Sequence, residues 1–295
     1  MAGVEALGFI GLGTMGEPMC ANLARKSGLR VYAVDRRPEP LERLAAEKVA
    51  ACASIADLAQ RADLVFLSLP SGREVEAVCF GAGGIAAAPG RVRTVVDCGT
   101  SPPALTRALA ERFAALGIDF ADAPVARTRE AAQQGRLSIM VGASDGLFAR
   151  LTPYLATMAT DITHCGAVGS GQVVKILNNM VLIETVGALA EALAIAARAG
   201  VDERLLLETL AKGSADSFAL RNHGMKAMLP RHFPENAFSA EYALKDLGYA
   251  LDLASAGGVA AAGAEVARGR LAEAIRRGHG QCYWPVMAKV VAGDH

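Results

Sequence analysis

Residues 7–19 read LGFIGLGTMGEPM. An apolar run, ALGFIGL (6–12), passes into Gly11-x-Gly13-x-x-Gly16 and then into MCANLARKSG (19–28), whose apolar residues recur at helical spacing. Glycine-rich turns are common, and the spacing alone is a weak signal. Strand, glycine turn and helix in that order are what a dinucleotide-binding turn requires. Gly11 permits the tight turn, Gly13 lets the backbone approach a pyrophosphate, and Gly16 lets the helix pack close to the strand. The expected contacts are Gly11, Leu12, Gly13, Thr14, Met15 and Gly16, with the N–H groups of the helix start facing the phosphates. A second apolar run, RVYAV (30–34), ends at Asp35, nineteen residues past Gly16. A carboxylate there accepts hydrogen bonds from the adenosine ribose hydroxyls and repels a 2′-phosphate, which favours NAD. Arg36 and Arg37 follow at once and leave NADP as the alternative, with Arg36 the expected contact.

Outward from this turn, short apolar runs alternate with helical patterns. DLVFLSL (63–69), RTVVDC (93–98), IDFADAP (118–124), SIMVG (138–142) and ITHCG (162–166) read as strands. Segments such as PPALTRALAERFAALG (102–117) read as helices between them. Alternation of this kind predicts an α/β fold, a Rossmann doubly wound, mostly parallel sheet with helices on both faces. SLPSG (68–72) and DCGTSPP (97–103) fall at strand ends, where cofactor contacts belong, so Leu69, Pro70 and Thr100 join the expected cofactor set. Past about residue 166 the pattern turns helical throughout. A run of some thirty residues rich in Ala, Leu and Ile extends to a stop at Gly200. Further helices are expected in DERLLLETLAKG, SAEYALKDLGYALDLASAGG, GAEVARGRLAEAIRRG and PVMAKVVAG. The expected division is a dinucleotide-binding domain over 1–165 and an all-α domain over 166–295, joined by a long interdomain helix.

Composition narrows the function. The chain has 295 residues, 52% hydrophobic and 20% charged, enough to bury a sizeable core. Thirty basic residues balance thirty acidic ones, which argues against nucleic acid or an anionic membrane as a partner. Six cysteines form no C-x-x-C pair, so no metal site or disulfide framework is expected. The N-terminus lacks the basic and long apolar regions of a signal peptide, and charge or glycine interrupts the apolar runs. A soluble, cytoplasmic protein is the expectation.

GSGQVVKILNNMVLIE, from Gly169, poses a separate question. Lys175 and Asn179 are four apart and Asn178 is three from Lys175, so all three project from one helical face. Val173, Val174, Ile176, Leu177, Met180, Val181 and Leu182 surround them. A helix apolar nearly all round is expected to be buried, and its polar stripe then needs partners or a water-filled cleft. Transfer of a hydride to or from a carbonyl needs a group that gives or takes the proton on oxygen. A desolvated lysine does this, which makes Lys175 the candidate general acid/base and Asn179 the residue that orients it or binds substrate.

Taken together, GFIGLGTMGEPM, DAPV (122–125), GSGQVVKILNNM (169–180) and YALKDL (242–247) resemble the β-hydroxyacid dehydrogenases, in order and spacing, from about residue 7 to residue 290. The resemblance implies a Rossmann domain and an all-α domain with the active site in the cleft, Lys175 as the catalytic lysine and Asn179 as its helper. It places Lys245 and Asp246 near cofactor or substrate, whereas spacing alone makes Lys245 a surface residue. Gly171, in the third motif, is also expected at the substrate. The implied substrates are small anionic 3-hydroxy acids or their semialdehydes, of the 3-hydroxyisobutyrate, tartronate semialdehyde/glycerate or sulfolactaldehyde type. A homodimer or homotetramer is implied as well.

One departure stands out. The family usually follows DAPV with Ser-Gly-Gly, which holds the substrate carboxylate; this chain has Ala126, Arg127 and Thr128. Sulfolactaldehyde reductases also carry Arg-Thr here. Arg127 is a solvated loop residue, a partner for a carboxylate of the protein itself such as Glu130 or Asp122, or a fork that grips the substrate's anionic end in two hydrogen bonds, with Thr128 adding a hydroxyl. Three other functions compete with the dehydrogenase: a non-catalytic NAD(P)-binding interaction protein, an imine reductase-like enzyme, and a 6-phosphogluconate dehydrogenase relative. The presence of both Lys175 and Asn179 argues against the first two, and the helical half is too short for the usual long version of the third.

Overall fold

The computed structural model describes residues 3–235 and 237–294. They divide into two compact units, 1–175 and 176–295.

Among the described residues of the first unit there are nine strands: β1 (Ala6–Ile10), β2 (Arg30–Val34), β3 (Ala50–Ala51), β4 (Leu64–Leu67), β5 (Thr94–Asp97), β6 (Asp119–Asp122), β7 (Val125–Ala126), β8 (Leu137–Gly142) and β9 (Ala159–Gly166). Their order is β3-β2-β1-β4-β5-β6-β8-β7, with β9 paired to β8. Strands β1 to β6 pair in parallel, β6 and β7 run antiparallel to β8, and β9 is again parallel to it. The chain winds outward from β1 in one direction and then, from β4, in the other. That reversal opens a crevice beyond the carboxyl end of β1, where ligands of such sheets bind.

Both faces of the sheet are covered, so every residue of β1 and β4 is buried. On one face Phe9, Leu64 and Phe66 pack with Met19 and Leu23 of α1 (Gly16–Lys26) and with Leu44 of α2 (Pro38–Ala45). On the other, Val65 and Val95 meet Leu58 of α3 (Ile55–Ala59), Val75 of α4 (Gly72–Phe80), and Leu109 and Phe113 of α5 (Pro103–Ala114). Short α6 (Arg129–Gln133) and α7 (Asp145–Leu155) complete the first face through Ala132, Leu147 and Leu151. β3 and β7, two residues each, escaped the sequence reading because no alternation shows over so short a span. β9 starts earlier than ITHCG suggests, since it is an edge strand whose polar Thr160 and Asp161 hide its period.

Helix α8 (Ser170–Arg198) runs from the end of the first unit into the second, and Gly200 at φ +77° stops it. The further elements described in the second unit are helical, namely α9 (Glu203–Leu210), a π-helical segment (Leu220–Met228), α10 (Ala240–Ala256), α11 (Ala262–Ala274), a π-helical turn (Ile275–His279) and α12 (Met287–Ala292), with isolated bridges from Glu235 to Cys282 and from Ser239 to Tyr283. Asp202 and Ser239 cap α9 and α10 by accepting the Leu205 and Tyr242 N–H groups. Ile183, Val186, Leu189 and Leu193 of α8 form the core with Leu207, Leu220, Leu247, Leu271 and Trp284. The segment at Leu220–Met228 escaped recognition although its buried Leu220, His223, Gly224, Ala227 and Met228 recur at helical spacing, because a polar His223 and a helix-weak Gly224 occupy that face.

The expectation that α8 is buried nearly all round needs correcting. Ile176 is fully buried, but Val174, Leu177 and Val181 are 42%, 40% and 60% exposed. A helix core of this kind covers one stripe of α8 and leaves the opposite stripe bare. By length and composition alone α8 would suffice to cross a membrane, yet Glu184 and Glu191 interrupt it and its apolar stripe packs into the second core.

Candidate active site and dinucleotide turn

The glycine turn has the geometry a dinucleotide needs. Gly11 adopts φ +93°, a conformation side chains resist, and a Cβ there would overlap the Ser68 carbonyl. A Cβ on Gly16 would overlap the Gly11 carbonyl, so glycine keeps α1 close to the strand. Gly13 differs, because a Cβ there would meet no protein atom within 4 Å. Among the described residues nothing demands glycine at 13, and the open space beside it leaves room for a ligand to approach the backbone closely. Among the described residues no side chain caps the start of α1, so its first N–H groups are open to an anion.

Asp35 lies just past β2 with its side chain only 10% exposed. Its Oδ2 accepts the Leu12 N–H at 2.5 Å, tying the turn to β2, and its Oδ1 accepts the Arg37 N–H at 2.9 Å. The Arg37 guanidinium donates to the Leu12 carbonyl at 3.3 Å, while Arg36 is exposed. Leu69 and Pro70 follow β4, and Thr100 follows β5, at the same carboxyl edge as the turn. The chemistry of these residues fits NAD(P): open space at Gly13 would admit a pyrophosphate, and the Asp35 carboxylate could accept ribose hydroxyls.

The lysine stripe is more ordered than its spacing suggested. Lys175 is half-buried and Asn179 is buried, one turn apart on α8. Asn179 donates Nδ2 to Asp246 Oδ2 at 2.7 Å and accepts Nδ2 of Asn178 at 3.1 Å. Asp246, on α10, is 2% exposed. Its Oδ1 lies 3.1 Å from the Lys245 ammonium, which sits 5.2 and 5.3 Å from the ring centres of Tyr242 and Tyr249. Lys245 is therefore no ordinary surface lysine; its side chain is 23% exposed. Spacing gave no hint of the grip of Asp246 on Asn179, since the two are sixty-seven residues apart. The one local sign is an acid set among the apolar positions of YALKDL.

The loop after DAPV holds a further surprise. Arg127 adopts φ +88°, the left-handed region that favours glycine. Its guanidinium donates to the Arg136 carbonyl at 2.7 Å, to Thr160 Oγ1 at 2.9 Å and to Asp161 Oδ2 at 2.6 Å. Of the three readings, pairing with a carboxylate of the protein itself is the one seen here, with Asp161 of β9 as the partner in place of Glu130 or Asp122. Thr128 caps α6 by accepting the Ala131 N–H, and Ala126 pairs with Ser138 across β7 and β8. Gly171 is explained within the chain, because a Cβ would overlap the Met140 carbonyl where α8 begins.

A doubly wound sheet with a glycine turn of this geometry, followed by a helical second unit, is the frame of a dinucleotide-binding protein. Residues 6–166 match a family model described as the NAD binding domain of 6-phosphogluconate dehydrogenase, and residues 169–285 match one described as NAD-binding of NADP-dependent 3-hydroxyisobutyrate dehydrogenase. The chain is 37% identical over 253 residues to 2-(hydroxymethyl)glutarate dehydrogenase of Eubacterium barkeri, covering 86% of this chain and 83% of that one. It is 36% identical to 2-hydroxy-3-oxopropionate reductase of Escherichia coli, covering 85% and 84%. The solved structure of Mycobacterium tuberculosis 3-hydroxyisobutyrate dehydrogenase with L-serine superposes with a TM-score of 0.86 at 29% identity, covering 97% and 99%. The chain belongs to the β-hydroxyacid dehydrogenase family. It is an NAD(P)-dependent enzyme that acts on the CH–OH group of small hydroxy acids.

Proposed function

We propose that this enzyme interconverts a small 3-hydroxy acid bearing a terminal anion with its semialdehyde, uses NAD in preference to NADP, and employs Lys175 as general acid/base. The observation that carries the reading is Lys175 one turn from Asn179, whose amide is locked by a buried carboxylate. NAD(P), when bound, would supply hydride transfer at the reacting carbon. The protein's own part is to move a proton on the substrate oxygen and to hold that oxygen still. An ammonium provides the proton in the reducing direction, and the neutral amine removes it in the oxidising one. With its amide group held by Asp246, Asn179 cannot flip, so a group resting against it meets a fixed dipole. Lys245, Gly171 and the loop at Ala126, Arg127 and Thr128 complete the proposed substrate set.

The preference for NAD rests on Asp35, whose carboxylate sits at the turn and disfavours a 2′-phosphate. For the substrate's anion, Arg127 is the candidate, on the condition that it exchanges Asp161 for the ligand. Self-association as a dimer or tetramer is supported by α8, where Val174, Val181, Ala188 and Ile195 recur every seven residues and are all exposed. The test of the function is a panel of hydroxy acids and aldehydes, sulfonates included, followed by nicotinamide absorbance with NAD and with NADP. Turnover of no anionic hydroxy acid or semialdehyde would overturn the proposal.

A further inference from the structure

The start of α8 is held in an unusual way. The first N–H groups of any helix lack partners inside it, and a neighbouring Ser, Thr or Asp commonly supplies one. Here the acceptor comes from a strand some fifty residues earlier. Asp122, the last residue of β6, accepts the Gly169 N–H on Oδ1 at 2.6 Å and the Gln172 N–H on Oδ2 at 2.8 Å. It is fully buried, and glycines wall it in: a Cβ on Gly142 would overlap Oδ1, and a Cβ on Gly171 would crowd Oδ2. Burial pushes its carboxyl up to about 6, against the pull of the two N–H groups, and the neighbouring Asp97 carboxylate adds to the rise.

The Gln172 side chain carries the connection further. It is fully buried and all its roles are assigned. Its Oε1 accepts the Ser101 N–H at 3.0 Å, and its Nε2 donates to the Gly99 carbonyl at 2.9 Å and lies 3.4 Å from Asp97 Oδ2. Asp97, at the end of β5, in turn accepts the Gly99 N–H at 2.9 Å and the Ser101 hydroxyl at 2.7 Å. Gln172 thus clasps the loop that contains Thr100 on both sides. Asp97 and Asp122 are register partners on adjacent strands, so the whole assembly stands on two neighbouring strand ends. Lys175 follows Gln172 by three residues, within one turn of the same helix.

We propose that Gln172 and Asp122 are positioning residues that set the height of Lys175 along α8 relative to the loop after β5. Capping alone would need only Asp122. Two bonds from Gln172 to the backbone on either side of Thr100 do nothing for the helix; they fix how far its first turn stands from that loop. A helix start free to slide by an ångström would carry the ammonium with it, and acid–base catalysis is lost steeply with such misplacement. The inference rests on the reading of Lys175 as general acid/base.

The experiment is a double-mutant cycle on the NADH-bound enzyme, read by single-turnover rates and by cofactor Kd from nicotinamide fluorescence. Gln172→Met keeps the shape and the backbone N–H to Asp122 but removes the clasp. The expected result is a fall of about 10–100-fold in the chemical step with cofactor Kd changed less than about twofold. In the Lys175→Met background the same change should cost less than about twofold, because nothing remains to be positioned. Equal losses in both backgrounds, or no loss with Lys175 present, overturn the positioning role. Near-normal turnover by Lys175→Met alone instead overturns the reading of Lys175, and the proposal with it. Should Gln172→Met fail to fold, Asp122→Asn replaces it in the same cycle, since the amide offers one oxygen where the helix start uses two, with the same two results expected and the same ones fatal.

Discussion

Removing the carboxylate of Asp246 isolates the contribution of Asn179. In Asp246→Ala the amide of Asn179 loses its 2.7 Å acceptor, and the Lys245 ammonium loses a counter-ion at 3.1 Å. A hydrogen bond to a charged group contributes about 1.5–3 kcal/mol, and breaking a buried pair by removing one partner costs about 3–5 kcal/mol. Lys245 keeps 23% of its side-chain surface in water, so the lower end, about 3 kcal/mol of stability, is the expectation. The kinetic loss is a separate quantity. If about 1.5–3 kcal/mol of Asn179 orientation is felt in the transition state, kcat falls about 10–100-fold. The assay is steady-state turnover on the best hydroxy acid at saturating cofactor, with thermal melts run alongside. Asp246→Asn, which retains an acceptor for Asn179 but not the charge, should recover most of kcat and less of the Tm. The reasoning is refuted if Asp246→Ala keeps kcat within about twofold while Asn179→Ala loses it.

Four further outcomes are expected. Lys175→Ala should lose about 10²–10⁴ in kcat while nicotinamide fluorescence shows cofactor still bound; a near-normal kcat would end its proposed role. Asp35→Ser should raise the kcat/KM for NADP relative to NAD, because the charge beside the 2′ position is gone while Arg36 remains; wide preference for NADP in the unaltered enzyme would contradict this. If Arg127 exchanges Asp161 for the substrate anion, Arg127→Ala should raise KM and Asp161→Ala should lower it, on anionic substrates only. Parallel losses in the two variants, on charged and uncharged substrates alike, would make the pair a structural clasp. Burial pushes His223 down to about 4 from an ordinary 6.5, so the fold favours the neutral ring. Stability from this group is full above about 6.5 and is lost as pH falls toward 4. Asp122, raised to about 6, contributes in the opposite sense, gaining stability as pH falls through 6. The acid-side drop in Tm should therefore be shallower in His223→Phe than in the unaltered protein, and an unchanged slope would count against the buried neutral histidine.

Periodicity made the fold class legible. Gly11, Gly13 and Gly16 sit between a strand and a helix, and Asp35 closes the second strand; these are local patterns, and local backbone sterics decide them. Lys175 and Asn179 were legible too, since four residues of helix bring them to one face whatever surrounds them. Three things were not. The grip of Asp246 on Asn179 joins positions far apart in sequence, and only helix packing brings them together. The pairing of Arg127 with Asp161 depends on β9 lying beside β8, an arrangement no local pattern specifies. The demand for glycine at 142 and 171 comes from a buried carboxylate and a strand carbonyl contributed by distant segments. The sequence by itself determined the longer strands and helices, because those depend on neighbours a few residues away; the two-residue strands β3 and β7, the π-helical segment and the bare stripe of α8 needed the packed structure. Only the tertiary structure decided which polar atoms meet, because a buried hydrogen bond depends on where two remote backbones come to rest.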